Sequence, residues 1–254
     1  MNYRYLIAIA ATLLLTVSCK ADTPRRYRAE VVKEYAHDRG AYTQGLFFHN
    51  GTLYESTGQF GESTIRKVEL ASGRVMRRLN FSRKYFAEGS VVLDGRLYVL
   101  TWTNRVAFAY NAETLEYERS WSYPREGWGL TTDGKSLIAS DGSARLFFMD
   151  PEFKLQKTLT VKLNGRPVRY LNELEWIDGK IWANVYTTDL ILIINPSSGE
   201  VEATVNCAGL LPDRLRDQDT DVLNGIAADE HGNIYLTGKN WPRLYEVRLV
   251  RESK

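Results

Sequence analysis

Five positions in this chain hold side chains that could meet in one pocket: Gln44 in TQGL, Glu88 in AEGS, Trp128 in GWGL, Asn172 in LNEL and Asn224 in LNGI. Each stands at the start of a short strand-like run. A polar residue before glycine is ordinary turn chemistry, so none of them singles itself out. Their recurrence in register is the signal. Just past the second strand-like run of each unit come Thr57, Thr101 with Trp102, Asp141, Tyr186, and Lys239 with Trp241. Amides, a single pre-strand carboxylate, a lysine and several tryptophans are what a ligand pocket needs: aromatic walls with few convergent polar groups. The plainer alternative is structural, with tryptophans plugging a channel and asparagines supporting turns.

The elements that would position these residues follow from a repeat. GLFFHNGTLYEST, GSVVLDGRLYVLT, GLTTDGKSLIAS, ELEWIDGKIWANV and GIAADEHGNIYLT are versions of one unit. Their turn glycines Gly51, Gly95, Gly134, Gly179 and Gly232 lie 44, 39, 45 and 53 residues apart, near the spacing of propeller blades. Each hairpin is followed by a second strand pair, except that the fifth unit has only three strands. YRAEVVKEY, residues 27 to 35, is an orphan strand that would complete it beside LYEVRLV and cover an edge that otherwise invites association. The sequence thus predicts an all-β fold, a five-bladed β-propeller whose last blade is closed by the N-terminal strand. In such a ring the first strand of each blade lines the channel, and antiparallel pairing brings the pre-strand and post-strand positions to one mouth. The long fifth spacing holds CAGLLPDRLRDQDTD, expected as a solvated loop projecting from one face.

A hydrophobic fraction of 44%, a charged fraction of 25% and a net charge of +2 fit a globular chain; the scattered Lys and Arg residues predict no nucleic-acid surface. Residues 1–21 are different. Arg4, an apolar run from Leu6 to Val17 and Ser18-Cys19 read as an export signal too short to span a membrane. Residues 22–254 are then one exported domain, in the periplasm or cell envelope. Cys19 resembles a lipobox cysteine, although Thr16 departs from that pattern, and cleavage after Ala21 is the alternative. On either route Cys207 is a lone, buried thiol. Any membrane contact would come through a lipid anchor at Cys19, and a monomer is expected.

HDRGAYTQGL, LYESTGQFGESTIRKVEL, YFAEGSVVL, LYVLTW, EGWGLTTDGKSLIASDGSARLFFMDP, RPVRYLNELEWIDGKIWANV, LNGIAAD and TGKNWPRLYEV together resemble the plant and bacterial type of glutaminyl-peptide cyclotransferase, from about Tyr27 to Val250. That family is a five-bladed propeller. The resemblance implies cyclisation of N-terminal glutaminyl residues of peptides or proteins to pyroglutamyl, with loss of ammonia. Glu88 matches the family's Glu in the EG motif, which makes it the proton shuttle. Trp102, Trp128 and Trp241 would wall the site and raise the carboxyl's pKa by desolvation; Gln44, Asn172, Lys239 and Asn224 would grip the substrate. No cofactor is required for this chemistry. His37, His49 and His231 lack ligand spacing for zinc. A hard cation such as calcium, held structurally in the channel, stays open. Two other readings compete. One is a calcium-dependent propeller lactonase or related hydrolase using Glu88, Asp141, Asn172 and Asn224; the other is a non-catalytic envelope binding propeller.

Overall fold

The computed structural model describes residues 23–252. The export segment, Cys19 and Ala21 lie outside the described residues. No helix in the described part is long and apolar enough to cross a membrane. The described residues are all-β apart from one turn of 3-10 helix at Asp213–Leu215.

After β1 (Arg25–Ala36), four antiparallel strands form the first sheet: β2 (Thr43–His49), β3 (Thr52–Thr57), β4 (Thr64–Glu69) and β5 (Arg74–Asn80). The second consists of β6 (Ala87–Leu93), β7 (Arg96–Thr101), β8 (Val106–Asn111) and β9 (Tyr117–Ser122). The third consists of β10 (Leu130–Thr132), β11 (Leu137–Ser140), β12 (Arg145–Met149) and β13 (Leu155–Thr160). A small ribbon, β14 (Lys162–Leu163) with β15 (Arg166–Pro167), follows. The remaining strands are β16 (Leu171–Ile177), β17 (Lys180–Val185), β18 (Leu190–Ile194), β19 (Val201–Asn206), β20 (Leu223–Ala228), β21 (Ile234–Gly238) and β22 (Arg243–Arg251). They share one eight-stranded sheet in the order β16-β17-β18-β19-β1-β22-β21-β20.

β1 explains the fusion. One edge pairs antiparallel with β22, from Tyr27 opposite Arg251 to Ala36 opposite Arg243, and its first residues pair parallel with β19, Arg25 opposite Ala203. The antiparallel partner was legible from the unpaired edge of the last unit. The parallel one was not, because nothing in YRAEVVKEY marks its second edge. The hairpin turns follow sequence chemistry: Asn50-Gly51, Asp94-Gly95 and Asp178-Gly179 all have positive φ at both residues, the type I′ geometry that matches strand twist.

The inner strands β2, β6, β10, β16 and β20 pack against one another in a closed circuit, with β20 returning to β2. The arrangement is propeller-like. The apolar cores lie between neighbouring sheets: Phe47, Tyr54 and Ile65 of the first sheet pack with Val92, Leu97, Val99 and Phe108 of the second. Outer strands such as β5 and β9 are largely exposed. Burial near the axis holds the inner strands rigidly, which is what a site at their ends requires. The insertion does not simply project. Leu210 and Leu211 are buried against Trp241, Arg39 pairs with Asp217, and Arg39 Nη2 donates to the Leu215 carbonyl at 3.1 Å, folding the loop back onto the body.

Candidate active site

Pairing between inner and second strands breaks at the pre-strand positions. The register shifts between Thr43 and Gly45, between Ala87 and Ser90, between Leu171 and Leu174, and between Leu223 and Ile226. Gln44, Glu88, Asn172 and Asn224 therefore stand on β-bulges, which free a residue from the ladder and re-aim its side chain. Trp128 lies just ahead of β10 in the same relation. The glycines that follow allow close approach between inner strands. A Cβ on Gly45 would meet the Ser90 amide nitrogen at 2.8 Å; on Gly89, the Leu130 nitrogen at 2.4 Å; on Gly129, the Asn172 carbonyl at 2.0 Å. Unit four has no such glycine. Glu173 stands there instead, and its carboxylate accepts hydrogen bonds from the backbone N–H groups of Leu46 (3.2 Å) and Ile226 (2.9 Å). A buried side chain thus ties three inner strands together beneath the mouth.

Glu88 is 5% exposed, and burial pushes its pKa well above the usual carboxylate range. Lys239 works against that shift and Glu126 adds to it. Lys239 is 3% exposed; burial lowers its pKa, while Glu88 and Asp221 oppose the fall. Its ammonium lies 4.7 Å from the ring centre of Tyr42 and 4.9 Å from that of Tyr186, a cation-π clamp that holds a charge without fixing it by a salt bridge. Tyr42 in turn donates its hydroxyl to Asp221 at 2.9 Å.

Trp102 and Trp128 converge. Both indole N–H groups donate to Glu126 Oε2, at 2.9 and 3.3 Å. Trp128 meets Tyr186 edge-on at 5.5 Å, and Trp102 meets Phe86 likewise at 5.5 Å. Gly142, at positive φ, lets Trp128 lie flat on its turn: a Cβ there would come within 2.8 Å of the indole. Asn172 is buried at this level, and its carbonyl accepts from the Ser140 hydroxyl. Gln44 and Asn224 form one unit. Asn224 Nδ2 donates to the Thr43 carbonyl (2.9 Å) and to Gln44 Oε1 (3.3 Å). Both partners are acceptors, so the Asn224 amide has only one sensible orientation, and it leaves the Gln44 amino group as the end free to donate elsewhere. Asn224 is fully buried and holds Gln44, and its own Oδ1 is left without a hydrogen-bond partner.

Trp241 is packed into the core beside the site. It is 1% exposed, packs with Tyr245, Leu211 and Cys207, and gives its N–H to the Asp221 carbonyl at 2.9 Å. It buttresses the Asp221 backbone. Thr57 and Thr101 likewise spend their hydroxyls on the strands, toward Thr64 and the Val106 carbonyl. Asp141 accepts from the Ser143 N–H in its own turn.

Sequence reasoning missed several members. Tyr42 lies two positions before Gln44, Glu126 two before Trp128, and Phe86 two before Glu88, so extending the register by one turn of alternation finds all three. Asp221 comes from the insertion, outside any register. Beside it a cleft of about 320 Å³ opens between Thr187–Asp189 and Arg216–Leu223. The largest omission is a buried ion cluster behind Gln44. His37 faces two acceptors, the Trp241 carbonyl at 2.7 Å and Glu55 Oε1 at 2.9 Å, an arrangement that calls for both ring nitrogens protonated. Thr43 also donates to Glu55 Oε1 at 2.7 Å, and Arg66 lies 3.9 Å from its other oxygen. Cys207 is buried and its thiol is pushed up to about 12, as expected of an inert core cysteine.

Comparison with known proteins converges on one relationship. The family model described as glutamine cyclotransferase matches residues 5–249. A glutaminyl-peptide cyclotransferase of Arabidopsis thaliana is 41% identical over 230 residues, covering 88% of this chain and 72% of that one. The crystal structure of Myxococcus xanthus glutaminyl cyclase superposes with a TM-score of 0.85 at 37% identity, over 91% of this chain and all of the other. The model match spans far more than half of the sequence, and the chain belongs to the glutamine cyclotransferase family.

Proposed function

We infer that this protein is a transferase that converts N-terminal glutaminyl residues of peptides and proteins to pyroglutamyl residues with release of ammonia. The observation that carries the activity is the match of family and sequence over nearly the whole chain. In this reading the sheets are five blades around one channel. The fifth is completed by β1, and residues 22–254 form one catalytic domain.

The reaction joins the substrate's α-amino nitrogen to its own γ-carbonyl carbon, breaks the γ C–N bond, and moves one proton from the attacking nitrogen to the departing one. Glu88 is the proton shuttle. A carboxyl group held well above its ordinary pKa can take the proton from the amine and return it to the leaving ammonia near neutral pH. Lys239 sets how far that pKa rises. Trp102, Trp128 and Tyr186 exclude water and hold the glutaminyl side chain folded toward its amine, and orientation is the larger part of an intramolecular cyclisation. The Gln44 amino group and Asn172 are the donors for the γ-carbonyl oxygen as it gains charge.

No metal or cofactor is needed for these steps. For calcium in the channel, each Glu173 oxygen accepts one backbone N–H, while Asn184 leaves a buried amino group and Asn224 a buried amide oxygen without partners, a mixed set of donors and acceptors. The apolar segment Leu6–Val17 supports export to the cell envelope, and mass spectrometry of the mature N-terminus distinguishes lipidation of Cys19 from cleavage after Ala21.

The test is ammonia release from a Gln-Gly peptide by the purified chain, with pyroglutamyl-Gly as the other product. Saturable binding without turnover would overturn the enzymatic reading in favour of a binding propeller.

A further inference from the structure

Phe60 stands 51% exposed on the loop between β3 and β4, yet it is not loose. The amide N–H groups of Glu62 and Ser63 both donate to the Gln59 carbonyl, and so does the Ser63 hydroxyl at 2.8 Å. The Ala87 N–H donates to Ser63 Oγ at 3.0 Å, tying the loop to the strand that bears Glu88. Gln59 takes φ 85°, a conformation unusual for a side-chain-bearing residue and found where surroundings enforce it. At Gly58 a Cβ would approach the Phe86 ring within 2.3 Å, so only glycine lets that ring lie against the loop. The outcome is a row of aromatic rings. Phe60 meets Phe86 edge-on at 5.4 Å, and Phe86 continues to Trp102 at 5.5 Å and Tyr42 at 6.2 Å.

The row runs from solvent to the walls of the Glu88 site. Phe86 stands just ahead of β6 and precedes Glu88 by two residues, roughly 6–7 Å of extended chain. A peptide whose N-terminal glutamine is folded beside Glu88 has to leave the mouth through its second residue. An extended chain advances about 3.3 Å per residue, about half of that distance, and the second side chain spans the rest toward Phe86 and Phe60. A half-exposed phenylalanine on a loop fixed at both ends retains an open ring face, and neither the fold nor the cyclisation steps account for it.

We infer that Phe60 and Phe86 form a subsite for the second residue of the substrate, and that it takes aromatic or large aliphatic side chains. The inference rests on the functional reading above. It makes the enzyme discriminate among glutaminyl peptides by a residue that takes no part in the chemistry.

The experiment compares kcat and KM for Gln-Phe and Gln-Gly amides in the wild type, Phe60→Ala and Phe60→Leu, with thermal melting as the control for folding. The wild type is expected to prefer Gln-Phe by about 3- to 10-fold in kcat/KM, the scale of one aromatic contact. Phe60→Ala collapses that ratio toward one through a higher KM for Gln-Phe, and Phe60→Leu retains part of it. Turnover of both peptides without a preference, or a preference that survives in Phe60→Ala, overturns the subsite alone. Absence of ammonia from every glutaminyl peptide overturns the functional reading and the subsite with it.

Discussion

Glu55 and Glu88 are both more than nine-tenths buried at neighbouring ends of the inner sheets, and their pKa values move in opposite directions. Burial raises both. For Glu55 it is outweighed by the charge and hydrogen bond of His37, by Arg66 and by the Thr43 hydroxyl, so its pKa falls below 4.5. Glu88 has only Lys239 to offset burial, and that cation is shared between two tyrosine rings and Asp221. The difference lies in the supply of donors, not in depth. One carboxylate is fixed as an anion that braces the strand behind Gln44; the other is left able to exchange a proton. A site needs both kinds, since a group that titrates has to be held by groups that do not.

Exchanging the two roles by mutation tests the contrast. Glu88→Gln should lower kcat by about 10²- to 10⁴-fold, the usual worth of a positioned acid–base group, with the fold intact. Wild-type turnover in that variant would end the shuttle assignment. The same variant carries a stability signature. A carboxyl whose folded pKa is raised contributes stability that is present below its unfolded pKa and lost as pH rises through the folded value. Glu88→Gln should therefore melt above the wild type at pH 7–8, with the gap closing toward pH 4.

Glu55→Gln should act the other way, costing about 3–5 kcal/mol in urea unfolding because it leaves His37 buried without its paired carboxylate, while Arg66 keeps Asp38 at 2.8 Å. A loss within error of zero would show that the cluster does not brace the site. Lys239→Met removes the cation that holds Glu88 down, so the acid limb of kcat/KM against pH should move upward by about one unit; an unmoved limb would uncouple the two residues.

The smallest effect concerns the slope of stability with pH. The His37 pKa is raised, with burial opposing and Glu55 prevailing, so its contribution is full below about 6.5 and fades as pH rises through the folded value. The Glu55 contribution is present above 4.5 and fades on acidification through its lowered pKa. Wild-type melting temperature should decline above pH 6.5 more steeply than that of His37→Gln, and parallel slopes would contradict the pairing.

The ring of mouth residues was legible because turn glycines fix the phase of each unit, and a phase error of one would have put Gln44 or Glu88 on the wrong face. What lay beyond reach was depth. Trp102 directly follows β7, whereas Trp241 comes three residues after β21 and packs against Leu210 and Leu211 of the insertion, and a repeat alignment contains no information about an insertion. Glu55 was invisible for a related reason. In LYEST an acidic residue between Tyr54 and Ser56 reads as the outward half of an alternating strand, whereas β3 is buried on both faces. Its partners come from residues 37 and 66, which no local pattern connects.

The pairing of Arg25–Ala36 with Arg243–Arg251 also sets an order in time. The sheet that carries both ends of the chain is therefore the last to be completed: β1 waits for β22, and the Tyr42–Asp221–Lys239 side of the mouth waits for residues far apart in the chain to meet, a loop closure over so long a separation being slow.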